Sequence, residues 1–288
     1  MKESRYLLEW NGKKLSYSIR GEGDPVLLLH GGHSNWDEEF GVDELVEAGF
    51  SVITPNRPGY GVTSLMTPED ETAHYANLLD CLHIRQVAVI AISAGGPSGI
   101  RLAAARPERI SSLILQSAVT GVWLTPYDKE YRAAHLLFHP VTERYIWKLL
   151  GLYARFAPRA LFKQMAQSFS KLTTQEVLEK IDPSDLAAFS RMITRQRSGR
   201  GFLLDVKRPS IGEELRRISC PVLVLHDVND AAVPFIHAER VMRAVETARL
   251  VQVDGWGHLI WIGRGARKVF DETAVFLNEN SKRTEVSE

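Results

Sequence analysis

Val87-Ala88-Val89-Ile90-Ala91-Ile92 is an unbroken apolar run that stops abruptly at Ser93-Ala94-Gly95-Gly96. A strand with one wet face would alternate apolar and polar residues. A short continuous run fits a strand buried on both faces, as inside a parallel sheet. A parallel sheet needs a crossover after each strand. The chain supplies one at once, because Pro97 to Arg106 reads as a helix and Pro107 stops it. No linker separates strand from helix, so the turn must be sharp. The positions two before and two after the serine must then be small, and Ala91 and Gly95 are. Ser93 either caps a plain strand-to-helix turn or is a hydroxyl lifted above the sheet at a helix N-terminus.

The same pattern recurs along the chain. Val26 to Leu29, Ser51 to Thr54, Ile110 to Gln116, Val222 to His226 and Ala248 to Val253 read as strands. Tyr6 to Trp10 and Leu15 to Ile19 flank Asn11-Gly12, a tight hairpin turn. Thr67-Pro68-Glu69-Asp70 opens a helix with a cap, a proline in the first turn and acids at the positive end of the dipole. Pro234 to Val245 and Arg264 to Leu277 are helical, and the polar tail from Asn278 to Glu288 is expected to fray. Strands alternating with helices predict an α/β fold with a mostly parallel central sheet flanked by helices. From Trp123 to about Val206 the pattern is helical and rich in aromatics. It is read as a helical insertion over residues 121–210, dividing a core made of residues 1–120 and 211–288. Those aromatics either form the insertion's own core or line an apolar pocket.

Lys+Arg and Asp+Glu both total 35, which argues against nucleic acid or an anionic membrane as the main partner, although a local patch is compatible with that balance. The two cysteines, Cys81 and Cys220, have no metal or redox spacing and read as buried reduced thiols. The opening residues MKESRYLLEW lack the apolar core of a signal peptide, and no apolar run is long enough to span a bilayer. A cytoplasmic location is the expectation.

Polar residues with catalytic chemistry gather at the predicted strand ends. His30-Gly31-Gly32 follows one strand, with glycines that let the backbone approach a ligand. Asp230 follows another and precedes Val233-Pro234. Asp227, three residues earlier, competes for the same role and is read instead as an acid that stabilises the loop. His258 follows the last strand, in a loop where Gly255 and Gly257 flank Trp256. His33, Trp123 and Trp256 are candidate substrate-binding residues, although a lone loop histidine such as His33 is more often just polar surface. Arg191 and Arg195, four apart on a predicted helix, are either a solvated face or a site for a substrate carboxylate.

These motifs resemble the α/β-hydrolase superfamily. The resemblance rests on Leu29-His30-Gly31-Gly32, Asn56-Arg57-Pro58-Gly59-Tyr60-Gly61, Ala91-Ile92-Ser93-Ala94-Gly95-Gly96, Asp230-Ala231-Ala232-Val233-Pro234 and Gly257-His258. It covers residues 20 to 120 and 215 to the end. Ala91 replaces the usual first glycine of the serine motif. Asn56 and Thr63 stand where relatives often carry Asp and Ser. The resemblance implies an α/β-hydrolase fold whose insertion is a helical cap. It implies Ser93 as nucleophile, His258 as general base and Asp230 as the acid that orients it, in the chain order of the family. It also implies backbone N–H groups of Gly32 and Ala94 as an oxyanion hole, with no metal and no organic cofactor. Ser93 is neither Asp nor Cys, which disfavours haloalkane dehalogenases, epoxide hydrolases and dienelactone hydrolases. His33-Ser34 after the glycines gives no support to proline iminopeptidases. The implied reaction is hydrolysis of a carboxylic ester or thioester of a small molecule with an apolar portion. The alternatives are a carbon–carbon bond hydrolase of ring-cleavage products and a slow-turnover ligand receptor.

Overall fold

The computed structural model describes residues 3–285 apart from residue 38. Eight strands form one sheet: β1 (Glu3–Trp10), β2 (Lys13–Arg20), β3 (Asp24–Leu29), β4 (Phe50–Pro55), β5 (Val87–Ile92), β6 (Ile110–Gln116), β7 (Val222–His226) and β8 (Ala248–Gln252). Their spatial order is β1-β2-β4-β3-β5-β6-β7-β8. Asn11 (φ 49°) and Gly12 (φ 70°) make the left-handed turn of the β1–β2 hairpin. β2 also runs antiparallel to β4, and from β4 to β8 all neighbours are parallel.

The apolar runs bury both faces of the sheet, as their lack of alternation predicted. Val26, Leu28, Ala88, Ile90 and Ile92 enter one core cluster. Leu27, Leu29, Val87, Val89 and Ala91 enter the other. Helices α1 (Val42–Glu47) and α11 (Ala266–Glu285) cover the first face, while α2 (Pro68–Cys81), α3 (Gly96–Ala105) and α10 (Ile236–Ala244) cover the second. Thr67 and Asp70 form a capping box at the start of α2, behind Pro68.

The insertion between β6 and β7, called the cap segment below, carries α4 (Lys129–Leu137), α5 (Glu143–Phe156), α6 (Pro158–Phe169), α7 (Thr174–Glu179), α8 (Pro183–Arg195) and α9 (Gly201–Lys207). Its aromatics divide. Trp147 and Phe162 are buried, but Tyr127, Tyr145, Tyr153 and Phe156 are exposed.

Two expectations are corrected. Cys220 is buried and free, but Cys81 is exposed at the end of α2. The tail does not fray at Asn278. α11 runs on to Glu285 because Phe276 and Leu277 stay buried, and because Asn280 and Ser281 satisfy their polar groups on the carbonyls of Phe276 and Leu277. Residues 286–288 lie outside the described residues. Among the described residues, no helix is long and apolar enough to cross a membrane.

Candidate active site

After β3 the chain crosses to β4 on one side, and after the next crossover it returns to β5 on the other. The loops leaving β3 and β5 therefore diverge and leave a crevice at the carboxyl ends of the strands. Gly31 and Gly32 line one side of this switch point and Ser93 the other. A Cβ on Gly31 would lie 3.5 Å from Ser93 Cβ, and one on Gly32 would lie 3.6 Å from Ala94 Cβ.

Ser93 adopts φ 48°, a left-handed conformation that is unfavourable for any side chain. It opens a short 3₁₀ turn that runs into α3. The demand for small neighbours is explicit. A Cβ on Gly95 would stand 2.3 Å from the Leu29 carbonyl oxygen, and α3 crosses so closely that a Cβ on Gly99 would meet Ala91 Cβ at 2.7 Å. The first amides of such a turn have no partner within it, and Ala94 N–H is one of these.

β7 and β8 lie two and three places along the sheet, and their loops fold back over Ser93. His258 Nε2 is 2.9 Å from Ser93 Oγ, and His258 Nδ1 is 2.8 Å from Asp230 Oδ2. Val233 N–H donates to Asp230 Oδ1 at 2.7 Å. His226 Nε2 lies 2.8 Å from the Val233 carbonyl oxygen and 3.3 Å from Asp230 Oδ2. Burial alone would raise the Asp230 pKa. The charge of His258 and hydrogen bonds from His226 and His258 outweigh it and bring the carboxyl down to about 2. Ionised Asp230 can accept Nδ1–H, leaving Nε2 free to take the Ser93 proton. Asp227 is also buried, but its carboxylate accepts from the N–H groups of Asn229 and Gly257, so it staples the two loops together and does not touch the imidazole.

Supports for this line were not visible from sequence patterns. Ser117, at φ 44° just past β6, donates to the His258 carbonyl oxygen at 3.1 Å. The end of α6 threads between the two loops. The Phe169 carbonyl accepts from His258 N–H (2.8 Å) and Ala231 N–H (3.2 Å), and Ser170 bridges Asp230. Gly257, at φ 144°, is required here because a Cβ would stand 2.3 Å from the Phe169 oxygen.

Arg57 is fully buried beneath the glycine loop. It donates to the carbonyls of His30 (2.7 Å) and Gly31 (3.2 Å) and makes a two-pronged pair with Asp205 of α9, both contacts 2.7 Å. Tyr60 O–H donates to the same carboxylate at 2.6 Å. Burial opposes the Arg57 charge, but Asp205 more than compensates, and the pKa rises. Asp205→Ala would strand this cation in the interior. Such losses typically cost about 3–5 kcal/mol, so urea unfolding should move to clearly lower denaturant. A loss below about 1 kcal/mol, the range of an exposed pair, would refute this account of the link.

His33 (φ 63°) follows the loop and packs against Phe138, Trp147 and Phe202. Desolvation among these rings pushes its pKa down to about 3, so it is neutral at pH 7. Its Nδ1 lies 2.7 Å from Ser198 Oγ, which also accepts from Trp147 Nε1–H. Trp123 packs edge-on to Phe202 and donates to the Ala232 carbonyl. Trp256 belongs elsewhere. It is fully buried between Phe162 and Phe169, and its Nε1 donates to the Ile262 carbonyl, so it packs the core and offers no surface to a ligand. Arg191 and Arg195 reach an acid of the chain itself, Glu39, at 3.6 and 2.7 Å on the surface. Among the described residues, no cluster of His, Cys, Asp or Glu could hold a metal ion.

A doubly wound sheet that brings together a serine after β5, an acid after β7 and a histidine after β8 is an arrangement found in a class of hydrolases. The chain belongs to the alpha/beta hydrolase family, whose model matches residues 26–272. It is 45% identical over 271 residues to the uncharacterized hydrolase YcgS of Bacillus subtilis (strain 168), covering 92% of this chain and 95% of that one. It is 26% identical to 2-hydroxy-6-oxo-6-phenylhexa-2,4-dienoate hydrolase of Comamonas testosteroni, over 85% of this chain and 84% of that one. Among solved structures it resembles an alpha/beta hydrolase fold protein from Nakamurella multipartita, with a TM-score of 0.80 and 27% identity over 94% and 98% of the two chains.

Proposed function

We propose that this hydrolase cleaves a carboxylic ester or thioester through an acyl-enzyme on Ser93. The reading rests above all on the hydrogen-bonded line from Asp230 through His258 to Ser93. His258 Nε2 takes the Ser93 proton as Oγ attacks the carbonyl carbon. The tetrahedral oxyanion is received by the N–H groups of Gly32 and Ala94. His258 then protonates the leaving alkoxide or thiolate. Water, losing its proton to the same nitrogen, releases the acid and restores Ser93. No metal or organic cofactor enters these steps.

The substrate class follows from what surrounds the glycine loop. Phe138 and Trp123, both half-buried, offer rings and His33 a neutral imidazole, with buried Trp147 and Phe202 packed behind them. Such a surface suits an uncharged apolar group. The second reading is carbon–carbon bond hydrolysis, favoured by the relative that acts on a phenylhexadienoate. That substrate is a carboxylate, and the two cap arginines considered for it are engaged by Glu39.

The discriminating measurement is kcat/KM on p-nitrophenyl esters of increasing acyl length, beside the phenylhexadienoate. Preference for an ester by a factor of ten or more supports the first reading. The reverse preference overturns it. Fluorophosphonate labelling without turnover of either would instead point to a specialised substrate or a slow-turnover receptor.

A further inference from the structure

α5 carries two stripes that its own packing does not use. Tyr145, Leu149, Leu152, Tyr153 and Phe156 fall, at about 100° per residue, within an arc of about 100°. All five are exposed, Leu149 by 65% and Phe156 by 80%. The opposite face, with Glu143, Trp147, Gly151 and Ala154, is already buried. Arg144, Lys148 and Arg155, all exposed, form a row along one edge of the apolar stripe. The end of α4 adds exposed Leu136 and Leu137, and the turn into α5 adds exposed Val141. An apolar ridge of this extent on a folded surface marks an interaction site.

Charge decides what covers it. Between Tyr131 and Ser170 the chain has six cations, Arg132, Arg144, Lys148, Arg155, Arg159 and Lys163, and one acid, Glu143. Glu143 is buried, accepting from Ser198 N–H, so it neutralises nothing outside. In a chain balanced at 35 of each sign, α5 itself thus carries three exposed cations, Arg144, Lys148 and Arg155, and no exposed acid. A second copy seated there with its α5 antiparallel to this one would set this basic row against itself. An anionic lipid surface answers both stripes, with acyl chains for the apolar one and headgroups for the basic one. The Arg144 guanidinium lies 4.6 Å over the Tyr145 ring and donates to its hydroxyl, an amphipathic pair suited to headgroup depth.

We propose that α5 lies flat on an anionic phospholipid surface and docks the protein there through this face, with its apolar stripe inserted. The test is co-sedimentation with vesicles of equimolar phosphatidylglycerol and phosphatidylcholine, beside pure phosphatidylcholine. Wild type should bind the anionic vesicles and release at high salt. Lys148→Glu/Arg155→Glu should weaken binding by more than tenfold, since each cation near such a surface is worth about fivefold. Leu149→Asp/Phe156→Asp should abolish it while unfolding midpoint and turnover of a soluble ester stay at wild-type values. Failure of wild type to bind, or equal binding by the apolar double variant, overturns the proposal. So does a dimer in sedimentation that dissociates in that variant, which would assign the face to a second copy.

Discussion

Ser93→Ala should lower kcat on any ester the protein turns over by about 10⁶-fold, the scale seen when the nucleophile of a serine–histidine–acid triad is removed. A remainder of about 10³–10⁴-fold over water is expected from the intact oxyanion donors and substrate binding. The substitution is structurally mild. Ser93 Oγ has its hydrogen bond with His258 Nε2, and alanine tolerates the left-handed φ of 48° no worse than serine does. Losing one such bond changes stability by only about 1 kcal/mol. Turnover should therefore vanish from a protein whose unfolding midpoint barely moves, and fluorophosphonate labelling should vanish with it. Turnover or labelling that survives in folded Ser93→Ala protein would remove Ser93 from the mechanism.

The strand ends were legible because burial on both faces forces unbroken apolar runs. β5, β6 and β7 begin and end where those runs do, and α2 begins where its cap residue stands. Edges were harder. β1 extends to Glu3 and β2 to Arg20, because pairing along the hairpin continues past the apolar residues. α1 was not anticipated, since Val42–Glu47 is too short to show a helical period. Residues of the candidate site could be picked out wherever one local constraint sufficed, as with a small-residue turn at Ser93 or a glycine-flanked loop at His258. What stayed hidden depends on residues distant in sequence. Arg57 and Asp205 meet across 148 positions, His33 and Ser198 across 165, and Phe169 reaches His258 through its backbone, whose hydrogen bonds no side-chain pattern reports. Trp256 misled for the same reason. Its neighbours in sequence are glycines of the site, but its neighbours in space are Phe162 and Phe169.

Asp230→Asn should reduce kcat by about 10⁴-fold, the cost of holding the histidine in its wrong tautomer. The surroundings dictate which way the amide points. Val233 N–H donates to Oδ1, so the amide oxygen must remain there. The NH₂ group then faces His258 Nδ1 and turns it into an acceptor. The imidazole proton moves to Nε2, which can no longer take the Ser93 proton. Stability should change with pH in a defined direction. In the folded protein the Asp230 carboxyl is lowered from 3.8 to about 2. A depressed carboxyl stabilises the fold above its unfolded pKa and loses that contribution as pH falls through the folded one. The shift corresponds to about 2 kcal/mol, present at pH 5 and lost between about pH 4 and 2. Asp230→Asn should forfeit it, so the stability gap between wild type and variant should narrow over that window. Asp227→Asn is the control. Its carboxylate accepts two backbone N–H groups, and an amide cannot face both. That variant should lose stability and keep far more of its kcat. If instead Asp227→Asn loses the 10⁴-fold and Asp230→Asn does not, the orienting acid is Asp227, and the hydrogen bond between Asp230 and His258 serves only the fold.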